Sequence, residues 1–313
     1  MNFQLKFDSS ESKQKITFGE KLIFLGSCFS DEISLMAKQH GFHVTANPFG
    51  TLFHPLAISK CLLDALHDNL ESNVVKNEDV YFDYSCSGKV YGMSETELTE
   101  HVISLRKDLK SELKNATYLY VTFGTAFAYH LNETQNLVGN CHKQPSQSFT
   151  KKLTIVQEIV TVWRQVVSEL KCINPNIQIC FTVSPVRHIK DGLKENNLSK
   201  SILFLAIDQL QSENEITYFP SFELVNDVLR DYRFFKEDLV HPNQQAIQFV
   251  WEYFMKTFLN SETIELANKV KEIKIAMKHR MQYPESKMAL KFQDQLKERK
   301  RALEIDNEEI CWE

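Results

Sequence analysis

The chain has 313 residues, of which 43% are hydrophobic and 25% charged, enough to bury a sizeable core. Its formal net charge of -5 is mild and argues against a dedicated nucleic-acid binder. No stretch approaches a membrane span without a charge, and the N-terminus lacks a signal-peptide apolar core. The seven cysteines are scattered without a C-x-x-C pair, so neither a disulfide framework nor a zinc knuckle is indicated. A reduced, cytoplasmic protein is expected, with no membrane partner.

In chain order, residues 3–7 alternate and predict an edge strand, and residues 21–26 a buried strand ending in Gly26. Ser27 follows at once, then Ser30, Asp31 and Glu32, which suit the first turn of a helix over residues 31–40. A serine at such a strand-to-helix turn lies at the carboxyl edge of a sheet, where open α/β folds bind ligands, and Ser27 is a candidate nucleophile. The same residue also suits a helix N-cap without chemistry. A short strand at residues 42–46 runs into the turn Asn47-Pro48-Phe49-Gly50-Thr51, and an amphipathic helix covers residues 56–66.

Two β-like runs within residues 74–93 form a hairpin-like insertion, followed by a charged helix over residues 96–115 and a buried strand over 118–125. Residues 132–148 read as a polar loop, 153–170 as a helix, 177–183 as a strand, 197–210 as a helix and 216–220 as a last short strand. A helix with Pro242 at its first position carries Ala246, Phe249, Val250, Tyr253, Phe254 and Phe258 on one face. Strands alternating with helices predict a mostly parallel sheet covered on both faces, an α/β class. From residue 261 the strand signal stops, Lys and Arg dominate, and Pro284 interrupts the pattern. The expected division is a main domain over 1–260 and a basic helical extension over 261–313 that packs on it, with a lid or oligomerisation arm as the sharper alternative.

Glu237-Asp238-Leu239-Val240-His241-Pro242 holds a carboxylate and an imidazole three residues apart in one turn. Asp238 can accept from one ring nitrogen and leave the other free to take a proton from Ser27. An ester carbonyl attacked there needs preorganised N–H donors. The candidates are the Ser27 or Cys28 N–H, the Asn47-to-Gly50 turn, and Gly124-Thr125. Cys28 could also attack with His241, but its side chain is expected to turn away under the first helix. His142 and His188 follow strands and are expected to contact substrate rather than a metal. Arg187 binds an anionic or sugar substrate or pairs with Asp191 or Glu195.

Gly26-Ser27-Cys28-Phe29 resembles the signature of the GSCFA family, with Ser30 where members carry a small residue such as alanine. Asn47 to Thr51, Val138-Gly139-Asn140-Cys141-His142-Lys143, Ser184-Pro185-Val186-Arg187-His188, and Asp231-Tyr232-Arg233-Phe234 with Asp238 and His241 resemble its other blocks. GSCFA proteins are similar to SGNH (GDSL-like) hydrolases. The resemblance implies a three-layer α/β/α sandwich (SGNH or flavodoxin-like), Ser27 as nucleophile, Asp238 and His241 as acid and base, and Gly50 as oxyanion donor. SGNH enzymes carry a Gly-x-Asn block where this chain has Gly124-Thr125-Ala126, so Asn47 or Asn140 is expected to substitute. The function expected is hydrolysis of an oxygen ester of a small acyl group on a polar, possibly carbohydrate, carrier, with no cofactor and no metal. O-acyl transfer and non-catalytic ligand binding on the same fold are the alternatives. The oligomeric state is not legible.

Overall fold

A computed structural model describes residues 5, 7, 11–213 and 215–312. The edge strand expected at residues 3–7 therefore lies outside the described residues, apart from Leu5 and Phe7. The central sheet comprises β1 (Lys21–Gly26), β2 (His43–Ala46), β3 (Tyr118–Phe123), β4 (Gln178–Val183) and β5 (Ile216–Tyr218). All pairings within it are parallel, and the spatial order is β2-β1-β3-β4-β5. This is the doubly wound order of flavodoxin-like folds, whose chain direction reverses between β1 and β3 and leaves a crevice beyond their carboxyl ends. β3 is buried at all six positions, as expected of a strand covered on both faces.

The covering helices are α1 (Cys28–Gln39), α2 (Pro55–Leu66), α3 (Glu95–Asn115), α4 (Val156–Ile173), α5 (Leu193–Glu213), α6 (Gln244–Phe258), α7 (Ser261–Lys278) and α8 (Lys287–Asp306). On one face Ile58, Leu62, Leu109, Trp163 and Leu203 of α2 to α5 pack on Ile23, Leu119 and Phe181 of the sheet. In α4 the buried residues Ile159, Val160, Trp163, Val166, Val167 and Leu170 follow the helical period. The indole of Trp163 donates to Pro55 O at 3.2 Å, so burial leaves no unpaired donor. On the other face Phe29, Ile33, Phe254 and Phe258 of α1 and α6 pack on Phe24, Tyr118 and Tyr120. Ala267 and Val270 of α7 and Ile310 beyond α8 belong to this second core, so the basic C-terminal helices lie against the α1 and α6 layer.

Element bounds differ from the sequence reading where capping decides them. α1 begins at Cys28, three residues early, because Ser27 in extended backbone (φ -70°, ψ 171°) caps it. α6 begins at Gln244 rather than at Pro242, because Asn243 Oδ1 accepts from the Gln245 and Ala246 N–H groups. The region expected as one hairpin forms a three-stranded antiparallel sheet from Val74–Asn77, Val80–Asp83 and Tyr91–Gly92. The polar loop of residues 132–148 is in fact embedded in a second such sheet, built from Phe127–Leu131, Leu137–Val138 and Phe149–Leu153. The second of these sheets supplies wall residues of the cleft at the carboxyl edge, among them Phe127, Tyr129, Val138 and Lys151.

Buried neutral histidines pin several of these contacts. His40 accepts from the Trp251 indole at 3.1 Å through Nε2, and its Nδ1 lies 2.6 Å from Met36 O. Burial pulls the pKa values of His40, His54 and His188 down to about 4. A base whose pKa is lowered by folding takes up protons preferentially when unfolded. The stability that depends on its neutral form is therefore complete above about pH 6.5, the free-histidine value, and is lost as pH falls toward about 4. The thermal midpoint is expected to fall measurably from pH 7 to pH 5, and an unchanged midpoint contradicts this account.

Candidate active site

Gly26 ends β1 with φ +126°, and a Cβ there would collide with the Thr122 carbonyl of β3, so only glycine lets the chain turn at this point. The turn delivers Ser27 and Cys28 to the switch-point crevice. Ser27 does not face it. Its side chain is fully buried, its Oγ accepts from Phe29 N at 3.3 Å, and its N–H donates to Thr122 O at 3.2 Å. Cys28, at the first position of α1, instead lines a cavity of about 320 Å³ together with Glu32, Val186, Lys236, Asp238 and His241. The expectation that Ser27 presents its hydroxyl while Cys28 turns away is thus reversed, because a capping side chain must point back at the helix N–H groups.

Asp238 and His241 come together as expected. Asp238 Oδ2 lies 2.7 Å from His241 Nδ1, and its Oδ1 accepts from the N–H groups of Val240 (2.9 Å) and His241 (3.0 Å). Leu239, at φ +57°, makes the tight bend that closes this ring of bonds. The His241 and Val240 N–H bonds, then the imidazole bond, lower the Asp238 pKa to about 2, so it is a carboxylate throughout the physiological range. With Nδ1 committed to Asp238, Nε2 is the nitrogen left to exchange a proton. Among the described residues no hydrogen bond joins His241 to Cys28 or Ser27; it shares the cavity with Cys28 alone of the two.

The Cys28 thiol is pushed up from its ordinary value by burial and by the carboxylates of Asp31 and Glu32, against the pull of its own N–H and of Lys200. The resting group is therefore a thiol, and it needs a base. Its own N–H, lying beside the sulfur at the start of a twelve-residue helix, is placed to donate to a developing oxyanion.

The remaining oxyanion candidates are committed elsewhere. Asn47 Oδ1 accepts from Gly26 N at 2.8 Å and its Nδ2 donates to Asp31 Oδ1 at 2.7 Å, so this side chain braces the turn after β1. Gly50 N donates to Asn47 O at 2.7 Å, and the residue, at φ +73°, is packed on Ser87 with no room for a Cβ. The Gly124 and Thr125 N–H groups both donate to Phe53 O, at 2.8 and 3.0 Å. None of these four backbone or side-chain groups acts as the donor expected of it.

A second, larger cleft of about 650 Å³ lies on the other side of His241 and shares Val186, Asp238 and His241 with the first. Phe53, Thr125, Tyr129, Asn140, Arg187 and His188 are among its walls. Asn140 spends its Oδ1 on His142 N at 2.8 Å. His142 is not in this wall. It is buried, stacked on Phe82 at 4.8 Å, with Nε2 2.8 Å from Asp83 O, and is a structural histidine rather than a substrate contact. The Arg187 guanidinium lies over Phe235 (4.7 Å) and Tyr232 (5.5 Å) and forms no ion pair with Asp191, which Lys151 holds. His188 stays neutral, and its buried Nε2 makes no hydrogen bond among the described residues. Among the described residues no group of three His, Cys, Asp or Glu side chains could hold a metal, and no helix is long and apolar enough to cross a membrane.

Lys200 is the residue that sequence reading passed over. It is 3% exposed and donates to Gly124 O and to Ser184 O, both at 2.7 Å. The signal was present: Asn196, Ser199, Lys200, Leu203, Ala206, Ile207 and Leu210 form the buried stripe of α5, and a lysine on such a stripe has to find acceptors inside.

The sequence profile of the GSCFA family matches residues 21–254. The chain belongs to the GSCFA family. The match takes in Gly26, Cys28 and His241 and ends within α6, so α7 and α8 lie beyond it. No curated protein matches this GSCFA chain. Among solved structures it is similar to an acetyl xylan esterase from the rumen bacterium Butyrivibrio proteoclasticus, at 14% identity and a TM-score of 0.41, covering 82% of this chain and 65% of that one. A GDSL-like lipase from Bacteroides thetaiotaomicron shows 9% identity and a TM-score of 0.40, covering 77% and 88%. A carbohydrate esterase family 3 protein from Talaromyces cellulolyticus shows 9% identity and a TM-score of 0.36, covering 81% and 99%.

Proposed function

We propose that this GSCFA protein hydrolyses an oxygen ester of a small acyl group carried on a polar, carbohydrate-like molecule, using Cys28, His241 and Asp238. The observation that carries the reading is the cavity in which the Cys28 thiol stands with an imidazole whose Nδ1 is already fixed by a carboxylate. His241 Nε2 takes the thiol proton as sulfur attacks the carbonyl carbon, and the Cys28 N–H receives the oxyanion. Collapse of the tetrahedral intermediate breaks the carbon–oxygen bond, the leaving alkoxide takes the proton from His241, and a thioester remains. Water, deprotonated by His241, then releases the acid and restores the thiol. Asp238 holds the imidazole in the productive tautomer throughout.

The larger cleft suits the carrier, since Phe53 and Tyr129 offer flat apolar surface and Arg187, Asn140 and His188 offer polar contacts. Its position also favours a second reading, acyl transfer, because His241 borders both cavities and could deprotonate an alcohol entering from either.

The test is to incubate the protein with a chromogenic short-chain acetate ester, quench, and map acetyl groups by mass spectrometry. Acetylation of the Cys28 peptide that hydroxylamine removes, together with turnover, is the expected result. Added alcohols that accelerate turnover and become acetylated favour transfer. Turnover with Cys28 blocked by iodoacetamide would overturn the thiol assignment, and no turnover of any ester would favour the ligand-binding alternative.

A further inference from the structure

The segment that follows β4 is tied down on both sides of one arginine. Pro185 O accepts from Asn226 Nδ2 at 3.3 Å, Val186 N donates to Ser184 Oγ at 3.3 Å, and His188 N donates to Asn196 Oδ1 at 2.9 Å. Arg187 stands between these anchors, half-buried, in the wall of the larger cleft. Its guanidinium lies over the rings of Phe235 and Tyr232, and both rings belong to the segment that leads into Asp238 and His241. That segment closes on itself, with Lys236 N donating to His241 O at 2.7 Å and Phe235 bridged to Pro242. Arg187 is thus seated against the same loop that carries the His241 imidazole.

A contact with ring faces engages the charge of a guanidinium and leaves its five N–H donors to find other acceptors. Among the described residues the Arg187 side chain makes no hydrogen bond and no ion pair. The nearby carboxylates have other partners: Asp191 pairs with Lys151, Asp231 lies 3.7 Å from Arg233 Nε, and Asp238 is bound to His241. Lys190, exposed in the same wall, adds a cation that is in no ion pair among the described residues. The cleft is therefore lined by three cations, Lys151, Arg187 and Lys190, against two carboxylates, Asp191 and Asp238, both already bound. A partly desolvated guanidinium with free donors is best satisfied by an anion that fits its fork.

We propose that Arg187 is a specificity-determining residue that binds an acidic group, a carboxylate, sulfate or phosphate, on the carrier of the ester. The substrate class is then an acylated acidic saccharide rather than a neutral one. The inference rests on the reading of the larger cleft as the carrier site. The acidic group pairs with the guanidinium, the sugar lies along Phe53 and Tyr129, and the ester is held toward His241, which borders both cavities.

The experiment reads binding and needs no ester. Methyl glucuronide, a glucose monosulfate, a glucose monophosphate and the neutral methyl glucoside are titrated by calorimetry into the full chain and into Arg187→Gln, each protein checked for cooperative melting. At least one acidic sugar is expected to bind about tenfold tighter than methyl glucoside, and the tightest of the three names the acidic group. Arg187→Gln is expected to remove that preference and leave methyl glucoside binding unchanged. A merely structural arginine would instead weaken acidic and neutral sugars alike. Equal binding of acidic and neutral sugars, no binding of any acidic sugar, or a preference that survives in folded Arg187→Gln overturns the proposal. Should Arg187→Gln not fold, the Arg187 Nε–H resonance of the unaltered protein is followed during titration, and a resonance unmoved by a bound acidic sugar overturns it as well. Acidic-sugar preference without turnover of any ester would leave this subsite standing and sink the esterase reading, whereas turnover without the preference would do the reverse.

Discussion

Cys28→Ala is expected to lose ester turnover on the order of a thousandfold or more, the loss found when a covalent nucleophile is removed and only binding and oxyanion contacts remain. Ser27→Ala is expected to keep its rate within a few-fold and to lose about 1 kcal/mol of stability, the usual cost of deleting an N-cap. The opposite effects follow from one backbone fact. Ser27 is extended and returns its Oγ to the Phe29 N–H, whereas Cys28 is the first helical residue and projects into the cavity with His241. Steady-state rates on a chromogenic acetate ester, with melting curves to show that both variants fold, decide between them. A dead Ser27→Ala beside an active Cys28→Ala would restore the serine as nucleophile. Cys28→Ser is expected to lose much of the rate, since a hydroxyl gives up its proton to the same imidazole far less readily than a thiol does.

The doubly wound sheet could be read from the sequence because its signal is redundant. β1, β3 and β4 are largely apolar, buried runs, the covering helices repeat their buried residues at the helical period, as in α4, and the two alternate in the order of a parallel sheet. Asp238 and His241 were legible for a similar reason: three residues apart in a tight turn, they have few ways not to meet. The choice between Ser27 and Cys28 was not, because adjacent side chains at a helix start differ only through the dihedral angles of the cap. The serine's own preference for capping was the better guide there. The oxyanion candidates failed on accounting. Asn47, Gly50, Gly124 and Thr125 sit at the right edge, but a tight turn consumes N–H groups, and Asn47 O and Phe53 O take those of the three backbone candidates. The second antiparallel sheet escaped notice because one of its strands, Leu137–Val138, is two residues long and another, Phe149–Leu153, carries Thr150, Lys151 and Lys152.

His241→Ala should match the loss in Cys28→Ala, and the pair should not be additive. The thiol rests protonated, pushed up by burial and by Asp31 and Glu32, so without an imidazole to take its proton it contributes little thiolate at neutral pH. Once the base is gone, removing the nucleophile as well should cost little more, because the two act as one unit. Raising the pH offers a sharper distinction. A protein that lacks the base but keeps the thiol should recover part of its rate in alkaline solution, where solvent takes the thiol proton, while Cys28→Ala should not. Asp238→Asn should fall between wild type and His241→Ala. An asparagine amide can present its N–H₂ to Nδ1 and so favour the tautomer that carries its proton on Nε2, the wrong nitrogen for accepting one from the thiol. The measurement is kcat/KM against pH for the three variants. If His241→Ala keeps wild-type turnover at neutral pH, the imidazole is not the base, and the Cys28–His241–Asp238 assignment falls.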